Sequence, residues 1–454
     1  MTRVLADERM SDVDAVVWAV ERLPRNRTTI AALVRFARPL DPADLRHRVD
    51  RASRVVPRLR QRVINDPVAA PRWSVDPEFR LSFHLRSRHL QSGDDQALAA
   101  LARDLIVQPF DRSRPLWEFT YITGLDDGGA ALLLKSHHAV SDGVGGVEMM
   151  LELFDLTPEP ARERTTLPIA PTAPPAAPRP LFAEAVREEV SGLGRAVRDT
   201  LTNATPPSLP SLAEASRRIG EVLGSATRMF SPPPDSTVLP DQRSDHLDVR
   251  FFSLALDDLR QAGRRVDGTI NDAFVTAVAL GIADHTRETT APLRVSVPLS
   301  TRGADDGVGN HWTPGRIDID LADAHDSELL CAAVQRSMRR LRDEPAHQLL
   351  APLAAGLRRL PPLATASIFE SLTARVDVAA SNVPGSPVPL HLCGEPVTAL
   401  VPFGPLSGCA VNVTLLSHAD TAHIGISSDP AAIADADALA RAIEGGISAV
   451  VKGS

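Results

Sequence analysis

Several residue types are scarce in this chain of 454 residues, and their scarcity excludes some classes of protein. There are only three cysteines, Cys331, Cys393 and Cys409, and no two of them form a CxxC pair. This argues against a disulfide framework and against a structural zinc site, and it fits a reducing cytoplasm. No run of about 18 or more apolar residues occurs, so hydropathy predicts no membrane-spanning helix.

Lysine is nearly absent, because Lys135 and Lys452 are the only lysines among 49 basic residues. The net charge is −8 and no basic stripe stands out, so nucleic acid is not an expected partner. The first ten residues are rich in charge and have no apolar stretch, so they do not resemble a signal peptide. We therefore expect a cytoplasmic protein, with any membrane contact peripheral.

Hydrophobic residues make up 43% of the chain, which is enough for a large core, and the length suggests two to three domains at about 100–200 residues each. Strand and helix patterns alternate, which predicts an α/β fold with mixed sheets. Strands are predicted at 28–38, 130–136, 249–256, 294–298, 411–416 and 422–427. Helices are predicted at 10–21, 42–56, 96–106, 144–155, 257–265, 270–286 and 434–451.

The predicted elements fall into an N-terminal lobe at 1–160 and a C-terminal lobe at 246–454, separated by residues 161–245. Prolines crowd the stretch 156–180, which predicts a semi-rigid linker. Two amphipathic helices are predicted between 181 and 230. Their apolar seams either pack on the body of the protein or contact a membrane or lipid droplet.

Two adjacent histidines, His137 and His138, follow the predicted buried strand at 130–136 and precede Asp142 and Gly143. Neighbouring side chains at a strand end point in opposite directions, so only one histidine can face a given cavity. This disfavours a metal ion shared by both, and no third ligand has suitable spacing, so no metal site is expected.

Proton transfer is the other chemistry that these histidines could carry. A neutral imidazole can take a proton from a hydroxyl group near neutral pH. Gly143 allows backbone or ligand to approach closely. No GxSxG segment occurs, which favours direct attack by an acceptor over a covalent acyl-enzyme. The alternative is that both histidines are structural.

The segment His137-His138-x-x-x-Asp142-Gly143 resembles the HHxxxDG motif of the CoA-dependent acyltransferase superfamily. Further segments, in order, resemble one branch of it, the bacterial wax ester synthase/acyl-CoA:diacylglycerol acyltransferases. These segments are 10–15, 57–62, 71–73, 109–118, 135–139, 269–272, 297–302 with 309–310, and 381–385. Such an ordered set is much more specific than the HHxxxDG motif alone.

The resemblance implies a two-lobed, chloramphenicol acetyltransferase-like fold with a tunnel between the lobes. It implies that His138 is the general base and that His137 supports it. Asp142 is implied to be structural and paired with an arginine, for which Arg302 is the candidate. Asn271, from the second lobe, is implied to face the centre as a polar donor.

Three further candidates for structural support of this centre are Asp272, Pro115 and Trp117. Asn271 and Asp272 together also fit the N-terminal end of a helix, and both interpretations can hold. Pro115 and Trp117 belong to the 109–118 segment, and we expect them to pack beneath the active site rather than contact substrate.

The expected function is transfer of a fatty acyl group from acyl-CoA to diacylglycerol or a long-chain alcohol, giving triacylglycerol or a wax ester. Acyl-CoA would be a co-substrate, and no cofactor is expected. The expected partners are these substrates and, peripherally, a membrane or lipid droplet. Two alternatives are a related transferase acting on a specialised-metabolite or carrier-bound substrate, and a catalytically silent lipid-binding homologue.

Overall fold

The computed structural model describes residues 3–65, 70–140, 146, 149, 152–159, 166–173, 238–288, 290–300, 312–344, 350–373 and 376–453. Three of the predicted site residues, Asp142, Gly143 and Arg302, lie outside these ranges. The amphipathic helices predicted between 181 and 230 also lie outside them, as does most of the proline-rich stretch.

Strands and helices alternate along the described chain, as the sequence predicts. The strands are β1 (Arg3–Val4), β2 (Glu8–Arg9), β3 (Thr29–Phe36), β4 (Gln61–Ile64), β5 (Arg72–Val75), β6 (Leu85–His89), β7 (Trp117–Thr123), β8 (Ala130–His137), β9 (Pro171–Thr172), β10 (Asp248–Ala255), β11 (Leu293–Ser300), β12 (Trp312–Ile319), β13 (Val378–Val383), β14 (His391–Leu392), β15 (Glu395–Phe403), β16 (Val411–His418) and β17 (Thr421–Ser428). The helices are α1 (Asp12–Val20), α2 (Pro42–Val55), α3 (Leu81–His84), α4 (Asp95–Ile106), α5 (Leu256–Arg265), α6 (Ile270–Thr286), α7 (Ser327–Arg342), α8 (Leu350–Leu357), α9 (Pro362–Thr373) and α10 (Ala436–Lys452).

Side-chain caps begin the first helices where the sequence predicts them. Ser11 accepts a hydrogen bond from the Asp14 amide at 3.0 Å and so starts α1. Asp41 accepts from the amides of Ala43 and Asp44 and so starts α2, with Pro42 in its first turn. Because α1 ends at Val20, the next residue, Glu21, lies in the turn that leads towards β3.

The first large sheet has six strands in the order β14-β15-β3-β8-β7-β6. Every residue of β8 is buried, because that strand lies inside the sheet with both faces covered. Two of the six strands, β14 and β15, come from the C-terminal part of the chain and pair beside β3. The predicted division into lobes at 1–160 and 246–454 did not anticipate this crossover.

The second large sheet has six strands in the order β10-β17-β16-β13-β11-β12. Helix α6 is buried along most of its length and packs against α10. Their approach is close: a Cβ added at Gly446 would lie 2.2 Å from the Ala277 carbonyl oxygen. The predicted strands at 249–256, 294–298, 411–416 and 422–427 all belong to this sheet, so the α/β class with mixed sheets is confirmed.

The two sheets meet where β15 lies against β17. A Cβ added at Gly425 of β17 would lie 1.7 Å from the Pro402 carbonyl oxygen of β15, so only glycine fits there. Helices α8 and α9 pack on α1, and Arg358 pairs with Asp12 at that contact. The C-terminal part of the chain therefore touches the N-terminal lobe at both β15 and α1.

The helix predicted at 144–155 falls mostly outside the described residues, although Gly146 and Met149 are helical. Its predicted end is wrong, because Phe154 lies in no helix and Asp155 forms an isolated β-bridge with His391. Arg48 of α2 binds the Asp155 carboxylate in a pair that is almost fully buried. This ion pair and the bridge hold the chain extended where a helix was expected.

Among the described residues, no single helix is long and apolar enough to cross a membrane. The pair formed by α5 and α6 passes that test jointly, by length and composition only, but it is bent by 95°.

Candidate active site

Successive backbone amides are hydrogen-bonded where β8 ends. The His137 amide donates to the Leu116 carbonyl oxygen at 3.0 Å, and the His138 amide donates to the Thr28 carbonyl oxygen at 2.8 Å. The Ala139 amide donates to the His137 ring nitrogen Nδ1 at 3.0 Å. The backbone that carries His138 is therefore fixed by partners from two other segments and from the neighbouring ring.

Both ring nitrogens of His137 are engaged, and its side chain is fully buried. Because Nδ1 accepts the Ala139 amide, the ring proton is on Nε2. Nε2 lies 2.7 Å from Glu21 Oε2, to which it donates, and 3.2 Å from the Thr28 hydroxyl oxygen. These contacts leave His137 no free ring nitrogen for a substrate.

Glu21 is the acid that contacts His137, and it was not among the residues predicted from the sequence. Its Oε1 accepts the Thr28 amide at 3.2 Å and the Thr28 hydroxyl at 3.4 Å. Burial alone would raise the pKa of Glu21. The hydrogen bond from His137, followed by the Thr28 amide and the Arg112 charge, outweighs burial and holds that pKa below its ordinary value.

Aromatic rings and an arginine surround Glu21 and His137. The Arg112 guanidinium carbon lies 3.5 Å from the centre of the Trp18 ring, and its Nη2 donates to the Trp18 carbonyl oxygen at 3.1 Å. The same Nη2 lies 4.0 Å from Glu21 Oε2. The Trp18 and Phe110 rings lie 5.6 Å and 6.1 Å from the His137 ring, centre to centre. The enclosure explains why His137 is fully buried and why the Glu21 side chain is only 17% exposed.

His138 differs from His137 in exposure. Its backbone amide is held by Thr28, but the residue as a whole is only partly buried, whereas His137 is fully buried. Of the two adjacent histidines, only His138 is therefore partly exposed.

The residues expected beneath the centre are buried. Trp117 is fully buried, donates its indole N–H to the Leu59 carbonyl oxygen at 2.8 Å, and stacks on the His84 ring at 4.5 Å. Pro115 is buried just before it in the chain. The one polar group of the Trp117 side chain, its indole N–H, is therefore already hydrogen-bonded.

In the second large sheet's lobe, Asn271 lies in the first turn of α6. Thr269 caps the helix, and Asp272 Oδ2 accepts the Thr269 amide at 2.8 Å and its hydroxyl at 2.9 Å. The Asp272 amide donates back to the Thr269 hydroxyl, which completes a capping box. Asp272 is buried by this role, whereas Asn271 is partly exposed. The helix-start interpretation made for this pair therefore applies to Asp272.

Among the residues that the structure describes, no three His, Cys, Asp or Glu side chains form a group that could hold a metal ion.

Solved structures with the same architecture show the fold class of this chain. A wax ester synthase/diacylglycerol acyltransferase from Marinobacter aquaeolei VT8 matches with a TM-score of 0.63 at 19% identity, covering 97% of this chain and 98% of that one. The first condensation domain of the calcium-dependent antibiotic synthetase matches with a TM-score of 0.63 at 15% identity, covering 98% and 96%. The fold is therefore the two-lobed fold shared by these acyltransferases and condensation domains, which confirms the predicted fold.

Sequence comparison gives the family within that class. Residues 10–274 match the model of the wax ester synthase/diacylglycerol acyltransferase catalytic domain, and residues 309–450 match the C-terminal domain of the same family. The chain therefore belongs to the wax ester synthase/diacylglycerol acyltransferase family and is an acyltransferase. The predicted family is confirmed.

Full-length relatives agree with this assignment. A Mycobacterium tuberculosis H37Rv protein provisionally named a diacylglycerol O-acyltransferase is 30% identical over 462 residues, covering 98% of this chain and 92% of the relative. A second protein of that strain, also named a diacylglycerol O-acyltransferase, is 29% identical over 436 residues, covering 90% of this chain and 87% of the relative.

Proposed function

We propose that this protein transfers a fatty acyl group from acyl-CoA to the hydroxyl of diacylglycerol or a long-chain alcohol, with His138 as general base. The family membership and the names of the mycobacterial relatives support the reaction class. The observation that carries the role of His138 is the contrast within the histidine pair. His137 is fully buried with both ring nitrogens engaged, whereas the adjacent His138 is fixed through its backbone and partly exposed.

The reaction proposed for His138 balances without a cofactor. His138 takes the proton of the acceptor hydroxyl as that oxygen attacks the thioester carbonyl carbon. The tetrahedral intermediate then collapses, the carbon–sulfur bond breaks, and the leaving thiolate takes the proton from the imidazolium. The products are the ester and free CoA.

The remaining predicted residues have proposed roles around this step. The Asn271 amide is suited to donate a hydrogen bond to the oxyanion, because it is partly exposed at a helix start. Asp142 pairs with Arg302 in this scheme and supports the HHxxxDG segment. Gly143 allows the backbone or a ligand to approach closely. Acyl-CoA is a co-substrate in this scheme.

Thiol release from palmitoyl-CoA, measured with diacylglycerol, long-chain alcohols and small polar alcohols, tests the proposal. His138→Ala should lower turnover by about 10²- to 10⁴-fold, the usual contribution of a general base, while the melting temperature stays close to that of the wild type. A matched control is His246→Ala, because His246 is 79% exposed. Near-normal turnover in His138→Ala would refute the role of His138, and acyl-carrier donors outperforming acyl-CoA would refute the donor.

The proposed acceptors are themselves lipids, so we also propose peripheral contact with a membrane or lipid droplet. The apolar seams in the sequence at 182–201 and 212–229, flanked by arginines, support this. Supplying the diacylglycerol in vesicles, and separating vesicles by flotation before the assay, tests the contact directly. Protein that remains entirely in the vesicle-free fraction would contradict it.

A further inference from the structure

We infer that Glu21 is a positioning residue for His138, acting through both neighbours of that histidine; this inference rests on the proposed function. Glu21 directly follows the last residue of α1. Its side-chain hydrogen bonds are to Thr28 and His137 and not to the ring or the amide of His138. Its influence on His138 is carried by two short hydrogen-bonded routes, which start from different oxygens of the same carboxylate.

The first route passes through Thr28. Glu21 Oε1 accepts the Thr28 amide at 3.2 Å, and the Thr28 carbonyl oxygen in turn accepts the His138 amide at 2.8 Å. The position of the β8 end relative to the start of β3 therefore depends on where Glu21 holds Thr28.

The second route passes through the His137 ring. Glu21 Oε2 accepts a hydrogen bond from His137 Nε2 at 2.7 Å and so keeps the ring proton on that nitrogen. Nδ1 is then unprotonated and can accept a hydrogen bond from the Ala139 amide at 3.0 Å. The residues on either side of His138, namely His137 and Ala139, are thereby joined to each other and to Glu21. One carboxylate fixes the backbone before and after the proposed base.

A carboxylate suits this position because every group that faces it is a donor. The Thr28 amide and hydroxyl approach one oxygen, His137 Nε2 approaches the other, and the Arg112 guanidinium lies 4.0 Å away. An ionised carboxylate has only acceptors and can serve all of them. The Glu21 side chain is 17% exposed, so water cannot readily replace a lost acceptor.

Glutamine has the shape of glutamate but would turn one of these oxygens into an NH₂ group. Facing His137, that group would meet the Nε2 proton, and moving the proton to Nδ1 would set it against the Ala139 amide. Facing Thr28, it would meet the Thr28 amide. In either orientation two hydrogen-bond donors would face each other, and one of the two routes would be broken.

Steady-state kinetics of Glu21→Gln test the inference. We expect kcat to fall by about 100-fold, the loss that a displacement of roughly 1 Å in a catalytic group causes, with KM for acyl-CoA unchanged within about twofold. The matched control is Glu395→Gln. Glu395 pairs with Arg38 and lies at the start of β15, near the Phe36 end of β3 and away from the Thr29 end that faces His137. This control should keep wild-type kcat.

Glu21→Asp separates a charge requirement from a shape requirement. If the acceptors matter, Asp should retain more kcat than the isosteric Gln; the opposite order would overturn the inference. If Glu21→Gln is recovered only as aggregate, Glu21→Asp decides alone: a lower kcat at unchanged KM supports the inference, and an unchanged kcat overturns it.

A double-mutant cycle tests the route through His137. In a His137→Ala background, Glu21→Gln should cause a clearly smaller further loss of kcat than it does in the wild type. Fully additive losses would show that Glu21 does not act through His137 and would overturn that route. Failure of the proposed function itself would look different, since wild-type protein would then release no CoA with any acceptor in the panel.

Discussion

His138 follows the end of β8, and Asn271 lies at the start of α6. Hydrogen bonds between residues far apart in the chain hold the first segment, whereas hydrogen bonds between near neighbours hold the second. At β8 the partners are Glu21 and Thr28, which are 116 and 109 residues before His137 in the chain. At α6 the capping box joins Thr269 and Asp272, three residues apart. The first arrangement exists only once β3, β7 and β8 have assembled, whereas the second can form with the helix itself.

Because of this difference, effects on stability and effects on catalysis are easier to separate at α6 than at β8. The capping box holds α6 without using Asn271, so a change in the Asn271 side chain should leave the fold unaffected. At β8 the ring that supports the backbone is adjacent to the proposed base, so structural and catalytic effects are harder to separate there. Changes at Asn271, at the buried His84 and at Asp272 should therefore have distinct effects on turnover and on stability.

Asn271→Ala should lower kcat by about 10²- to 10³-fold, the usual cost of removing one oxyanion donor, with the melting temperature almost unchanged. Asn271→Asp is the matched variant, because it keeps the shape and places negative charge where the oxyanion forms; it should be at least as inactive. Thiol release and thermal melting measure both. Wild-type kcat in Asn271→Ala would remove Asn271 from the reaction and leave α6 a purely structural element.

Acid should weaken the support beneath β8 through His84. Its Nδ1 is 2.7 Å from the Trp117 carbonyl oxygen, to which it donates, and burial lowers its pKa from 6.5 to about 4. Below pH 6.5 the unfolded chain takes up a proton that the folded chain refuses. Stability that is present above that pH is therefore lost towards pH 4, by about 2 kcal/mol at pH 5.

Urea unfolding at pH 7.5 and at pH 5 measures this loss, and His84→Phe should reduce the difference between the two. Part of it should remain, because burial also lowers the pKa of His423 on β17 to about 4. His246→Phe, at an exposed position, is the control and should leave the difference unchanged. An equally large acid effect in His84→Phe would contradict the assignment to His84.

Asp272→Ala should cost about 1 kcal/mol of stability, because the Thr269 amide and hydroxyl lose their acceptor at the helix start. Turnover per folded molecule should fall little, since the helix remains and Asn271 is retained. Urea unfolding and kcat at low temperature provide the two measurements. A kcat loss as large as that of Asn271→Ala would show that the cap and the proposed donor are not independent.

Local signals in the sequence were sufficient for the elements that carry the site. Ser11, the Asp41-Pro42 pair and the Thr269-to-Asp272 segment begin helices with the residues that cap them, and all three helices were predicted. The apolar run at 130–136 sufficed for β8 and therefore for placing His137 and His138 at a strand end. These predictions required information from only a few neighbouring residues.

Long-range partners were not predictable in the same way. No local pattern marks Glu21 as the partner of a histidine 116 residues away, and the resemblance quoted for that region covers only residues 10–15. Strand β15 was missed for a different reason. Pro396 and Pro402 interrupt its apolar pattern, and proline lowers strand propensity. The placement of Trp18 and Arg112 around Glu21 and His137 likewise depends on tertiary packing.

The crossover of β15 bears on how the protein could be divided. Six of the nine residues of β15 pair with β3, whose eight residues are mostly buried and apolar. An N-terminal fragment without residues 391–403 would expose the backbone of β3 as an open sheet edge, which invites pairing between molecules. Each half of the chain is thus an incomplete folding unit. Fragments cut in the region between the lobes should gain solubility when expressed together.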